Sequence, residues 1–133
     1  MNIQNLVRNN IKNLTPYSSA RDEFSADAGV FLDANENPFG DFNRYPDPYQ
    51  KALKTEISKL KNIEANKIFL GNGSDEVIDL LMRIFAEPKK DKILVFNPTY
   101  GMYEVSANIN DVEVISYPLN QDFQIEFSEE LEQ

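Results

Sequence analysis

A chain of 133 residues with 41% hydrophobic and 26% charged residues has the size and composition of one ordinary globular domain, not of a disordered tail. Its net charge of −9 and pI near 4.4 argue against nonspecific binding to nucleic acid or to an anionic membrane. With no cysteine and no histidine, disulfide, thiolate–metal, Ser-His and Cys-His chemistry are excluded. No metal site is expected, and any reaction must use carboxylates, lysine, tyrosine, backbone dipoles or a cofactor.

Ile3, Leu6, Val7, Ile11 and Leu14 share one helical stripe, which predicts a short amphipathic helix over 3–14 that ends before Thr15-Pro16. The stretch lacks the apolar core of a signal peptide, and no run approaches a membrane span, so a cytoplasmic location is expected. Residues 15–47 are dense in Pro, Asn, Asp, Ser and Gly, and only Val30-Phe31-Leu32 suggests a short strand. Tyr17, Arg21, Phe39, Arg44 and Tyr45 stand in this irregular segment, either as ligand or partner contacts or as anchors to the core. Asp47-Pro48-Tyr49-Gln50 reads as a helix start, with Asp47 as cap and Gln50 completing a capping box. Tyr49, Ala52, Leu53, Ile57 and Leu60 then form the buried stripe, and Lys51, Lys54, Glu56, Lys59 and Lys61 the solvated face.

The segment 67–85, KIFLGNGSDEVIDLLMRIF, is the one around which the chain is organised. Ile68-Phe69-Leu70 fits a buried strand, and Val77, Ile78, Leu81, Met82 and Phe85 recur at helical spacing. Between them, Gly71-Asn72-Gly73-Ser74 brings a helix N-terminus out of a tight turn, where free N–H groups and the helix dipole suit a phosphate. The same turn is equally a plain cap, with both glycines at positive φ and Ser74 as N-cap. It fits neither a Walker loop nor the three-glycine dinucleotide fingerprint. Ile93-Leu94-Val95-Phe96 is a continuous apolar run, as for a strand covered on both faces. Met102, Val105, Ser106 and Ile109 follow at helical spacing, and a further strand covers 112–117. The alternation implies an α/β fold with a parallel sheet, and it places Gly73-Ser74 and Thr99-Tyr100 on one rim. The final stretch from Phe127 reads as a capped helix start that stops within about one turn, so the chain is expected to be the front portion of a longer protein.

LDANENPFG, NRYPDPYQ, IFLGNGSDEVIDLL and NPTYGMYEVSA stand in the order and spacing of the histidinol-phosphate aminotransferases, which the chain resembles from about Tyr17 to about Phe123. The resemblance implies the N-terminal part of the fold-type I transferases that depend on pyridoxal 5'-phosphate (PLP). Residues 1–47 would then be the N-terminal helix with an active-site and dimer loop. Residues 48–133 would begin the three-layer α/β large domain, its sheet incomplete. Gly73, Ser74 and Asp75 would hold the PLP phosphate through backbone N–H groups, and Tyr100 would stack on the pyridine ring. Tyr45 would reach the phosphate bound to a second subunit of a homodimer, and Tyr17 and Asn35 would line the substrate pocket. The reaction implied exchanges an amino group between L-histidinol phosphate and 2-oxoglutarate in histidine biosynthesis. The open alternatives are another class I or II aminotransferase, or a non-catalytic phosphate-binding or interaction module.

None of the nine lysines stands in that family's Ser-Lys setting. The Schiff-base lysine, the acid that partners the pyridinium nitrogen and the carboxylate-gripping arginines are expected downstream, so no catalytic residue is assigned in this chain. The family's later strands lie between the first strand and the other two. Without them Ile68-Phe69-Leu70 has no neighbour, and the 133-residue chain alone is expected to be unstable and catalytically silent.

Overall fold

The computed structural model describes residues 2–19, 23–24, 30, 32–42 and 44–126. In chain order its elements are α1 (Asn9–Lys12), α2 (Lys51–Lys61), α3 (Gly73–Phe85), β1 (Lys92–Asn97), α4 (Met102–Ile109) and β2 (Glu113–Pro118), with 3-10 turns at Ile3–Asn5 and Ala65–Lys67. Two units result: Met1–Leu14 with Gly71–Gln133, and Thr15–Leu70.

In the first unit β1 and β2 pair in parallel, in register from Lys92 opposite Glu113 to Asn97 opposite Pro118, with α4 as the connection. A parallel pair needs such a crossover, which is what the expected alternation called for. Ala86, Ala107 and Val112 form the core, with Ile93 and Val114 packed against them. Ile78 and Met82 are the buried residues of α3. A polar clamp ties α3 to α4: Asp79 accepts from Arg83 Nε at 2.7 Å and from Asn110 Nδ2 at 2.7 Å. These two donors, Arg83 first, hold the Asp79 carboxyl below the usual aspartate range.

Two sequence expectations for this unit are corrected, and a third, the helix read from Met102 to Ile109, stands as α4 with a different buried face. The stripe over 3–14 is no single helix. Arg8 sits between the 3-10 turn and α1 in extended conformation (φ −56°, ψ 143°), its N–H donating to Ile84 O at 3.0 Å and its guanidinium to Arg83 O at 2.9 Å and to Glu87. Docking onto the end of α3 outweighs the propensity of an isolated twelve-residue helix, which is marginal in water. On the sheet, Leu94 and its register partner Ile115 are 42% and 45% exposed, so β1 is covered on one face only. In α4 the buried residues are Ser106 and Ala107, while Val105 and Ile109 face outward.

In the second unit Ile68 is extended (φ −107°, ψ 121°), but residues 68–70 belong to no strand. An extended segment becomes a strand only through a ladder partner, and none is present among the described residues. The strand expected at 30–32 lies partly outside the described residues, and Val30 and Leu32 are in no strand and almost fully exposed. The helix predicted from Asp47 begins at Lys51 instead. Asp47 lies in the turn before it, accepting from Tyr49 N at 2.9 Å and Lys51 N at 2.8 Å, and Gln50 is left-handed (φ 47°) and makes no side-chain cap. On α2, Leu53 is 54% and Leu60 80% exposed, so the expected stripe is not buried; Lys54, assigned to the solvated face, is half-buried. The segment from Phe127 and Arg21 lie outside the described residues.

Candidate functional site

The glycine turn is built by three local devices. Gly73 has a φ of +77°, which a side chain resists, while Gly71 lies outside the positive-φ region and is needed for space. A Cβ on Gly71 would come within 3.1 Å of Val77 Cγ2 and 3.3 Å of the Gly73 carbonyl. The Gly73 N–H donates to Gly71 O at 3.0 Å, and the Glu76 carboxylate reaches back to accept from the Asn72 N–H. Asn72, not Ser74, therefore holds the N-cap position, and Ser74 is already helical. Both glycines do matter, but for different physical reasons.

Downstream of that turn, Ser74 and Asp75 carry first-turn N–H groups that an α-helix cannot pair internally. Above Gly73 the space is open, since an added Cβ meets nothing within 4 Å. The entry to α4 supplies an aromatic ring to the same end of α3: the Tyr100 hydroxyl donates to Asp75 Oδ1 at 3.0 Å. Its ring is 53% exposed and meets Tyr103 edge-on at 6.4 Å. The hydrogen bond to Asp75, then desolvation and the Asp75 charge, raise the Tyr100 hydroxyl above the usual phenol range, so Tyr100 stays neutral. Gly73, Ser74, Asp75 and Tyr100 are thus neighbours. The Asn97–Pro98 bond leading to Tyr100 is cis.

In the second unit, Tyr17 and Tyr45 line one concavity of about 890 Å³ together with Phe24, Asp33, Pro46 and Tyr49. Tyr17 is 89% and Tyr45 64% exposed. Asn35 is exposed beside Ala34, outside that lining. Glu36 went unnoticed in the sequence. Its side chain is only 5% exposed, and it accepts from Arg44 Nη1 at 2.5 Å and from the Tyr45 N–H at 2.8 Å. A glutamate in a turn-rich stretch gives no pattern to read; the signal was the return of Arg44 eight residues later.

Several lysines are occupied elsewhere. Lys92 pairs with Glu113 at 2.8 Å, Lys59 with Glu56 at 2.7 Å and Lys67 with Glu64 at 3.0 Å. Lys89 lies 3.5 Å from Asp111, and Lys51 stands over the Tyr49 ring.

The open helix end and the half-exposed ring of Tyr100 suit a small anion joined to a flat ring, and PLP fits that description. The "Aminotransferase class I and II" family model matches residues 10–133. A protein of Cytophaga hutchinsonii named histidinol-phosphate aminotransferase is 57% identical over 129 residues, covering 93% of this chain and 37% of that protein. Proteins of the same name from Parabacteroides distasonis and Bacteroides fragilis are 53% and 57% identical over 98% and 96% of this chain. The chain spans 37–38% of the length of these curated relatives.

Proposed function

The chain belongs to the class I and II aminotransferase family, and we propose that a full-length protein carrying it transfers an amino group between L-histidinol phosphate and 2-oxoglutarate. It would do so in histidine biosynthesis, as a cytoplasmic, PLP-dependent homodimer. Among the described residues no helix is long and apolar enough to cross a membrane. The observation that carries the reading is the Tyr100–Asp75 hydrogen bond, which supports a ring-binding plate beside a phosphate-binding turn.

In this reading the turn of Gly73, Ser74 and Asp75 holds the cofactor phosphate without a buried lysine: Gly73 shapes it, its own N–H being bonded to Gly71 O, and the N–H groups of Ser74 and Asp75 face the anion. The neutral ring of Tyr100 orients the pyridine by stacking. PLP, when bound, supplies the electron sink for the amino-group transfer. Tyr45 contributes its hydroxyl to the phosphate in a second subunit, and Tyr17 and Asn35 contact substrate. No lysine of this chain is given a catalytic role, and the 133-residue chain by itself is expected to be inactive.

The test is an amino-transfer assay on a full-length protein carrying the chain, loaded with PLP. Glutamate should form from 2-oxoglutarate with L-histidinol phosphate as donor, and Tyr100→Ala should weaken PLP retention. Turnover with aspartate or aromatic amino acids but none with L-histidinol phosphate would assign the protein to another branch of the family.

A further inference from the structure

Among the described residues, the loop from Glu36 to Tyr45 has no apolar centre of its own. Phe39 is 78% exposed and Phe42 fully so, and packing therefore does not close it. One carboxylate bridges its two ends. Glu36 is withdrawn from solvent while its partner Arg44 is 65% exposed, so the charge that has lost water is the acid. Such a group is tolerated only when its oxygens are satisfied, and both are: Oε2 by Arg44 and Oε1 by the Tyr45 N–H.

The chain beyond Tyr45 is fixed as well. Pro46 confines the backbone of the residue before it to extended conformations. Asp47 then binds the N–H groups of Tyr49 and Lys51 at the entry to α2. Tyr45 is therefore pinned on its N-terminal side by Glu36 and on its C-terminal side by Pro46, and it lines the concavity together with Tyr17. The loop also holds an Asn37 side-chain turn, in which Asn37 Oδ1 accepts from Phe39 N at 3.0 Å.

We infer that Glu36 is a positioning residue that sets the direction in which the Tyr45 side chain leaves the loop, and that it acts on the cofactor only through Tyr45. The functional half of this inference rests on the proposed role of Tyr45 as a phosphate ligand; the structural half does not.

The experiment uses a full-length protein carrying the chain and two readouts. Amide exchange at Tyr45 reports the Glu36 contact directly. Protection should persist in Glu36→Gln, whose amide oxygen still accepts, and fall in Glu36→Ala. PLP affinity, read from cofactor fluorescence, should weaken about tenfold in Glu36→Ala and only about two- to threefold in Glu36→Gln, as expected for losing one charge-assisted contact or only its charge. In a Tyr45→Phe background the Glu36→Ala effect should disappear, because a residue acting through Tyr45 has nothing left to position. Equal Glu36→Ala effects with and without the Tyr45 hydroxyl would overturn the inference, as would unchanged Tyr45 exchange in Glu36→Ala. An unaltered PLP affinity in Tyr45→Phe alone would refute the role of Tyr45, and the exchange data would then decide the structural half alone.

Discussion

Tyr100 and Asp75, 25 residues apart, are joined by a 3.0 Å hydrogen bond from phenol to carboxylate. The bond ties the entry of α4 to the first turn of α3. It also keeps the Asp75 charge directed at a neutral donor beside N–H groups suited to an anion. Because the Asp75 hydrogen bond is the leading cause of the raised Tyr100 pKa, Asp75→Asn should bring it back toward the ordinary phenol value. The sign follows from the direction of the shift. A phenol that holds its proton more tightly when folded gives a contribution complete below the unfolded pKa and lost as pH rises through the folded one. Ring-labelled tyrosine NMR across an alkaline titration separates Tyr100 from the other tyrosines. A Tyr100 midpoint unchanged in Asp75→Asn would show that the contact is absent in solution.

The two glycines of the turn should fail in different ways. At Gly73 an alanine finds open space but must adopt a φ of +77°, at about 1–2 kcal/mol. Asparagine, which tolerates the left-handed region better, should cost less than alanine there. At Gly71 the backbone angle is not the obstacle; the added methyl would press on Val77 and on the Gly73 carbonyl. Gly71→Ala should therefore shift the turn, and asparagine should do worse than alanine because it is larger. Denaturant midpoints for the four variants in a full-length protein check the opposite orders. One common order at both positions would mean that the turn is held by something else.

Sequence reading captured what depends on local chemistry. The α3 helix, the β1–α4–β2 crossover and the nearness of Tyr100 to the Gly73-Ser74 turn follow from periodicity and from strand–helix alternation, both encoded within short windows, whereas the hydrogen bond from Tyr100 to Asp75 does not. What it missed depends on partners. Ile68 to Leu70 have strand-like residues but no ladder neighbour among the described residues, and Leu53 and Leu60 have helical spacing yet are 54% and 80% exposed. Arg8 broke an otherwise regular stripe because its donors are taken by α3 and Glu87, far away in sequence. Glu36 was invisible for the same reason: a carboxylate becomes informative only when its two donors are seen to converge.

Asp47 holds the entry to α2 from outside the helix, and its carboxyl lies below the usual aspartate range because it accepts first from the Lys51 N–H and then from the Tyr49 N–H. A depressed carboxyl stabilises the fold above its unfolded pKa, and the contribution is lost as pH falls through the folded value. Amide protection at Lys51 and Tyr49 should thus decline on acidification in the wild type. In Asp47→Asn it should be lower at neutral pH and flat across the same acidic range. Acid loss of protection persisting in Asp47→Asn would assign the effect to another carboxylate.

The strongest packing prediction inverts the ranking that helical spacing suggests for α4. Met102, Val105, Ser106 and Ile109 form the apolar stripe by sequence, yet Val105 is 45% and Ile109 68% exposed while Ala107 is fully buried. Ala107 meets Ala86 and Val112, and its carbonyl accepts from the Val112 N–H at 2.9 Å as the chain turns into β2. A larger side chain there must push α4 away from α3 or strain the turn, since no open volume faces a fully buried methyl. Ala107→Leu should cost about 1–3 kcal/mol by overpacking, whereas Val105→Ala should stay within about 0.5 kcal/mol. Urea midpoints for the two variants in a full-length protein decide the matter. If Val105→Ala proves the more damaging, the outward face of α4 is covered in solution and Ala107 is not the centre of this core.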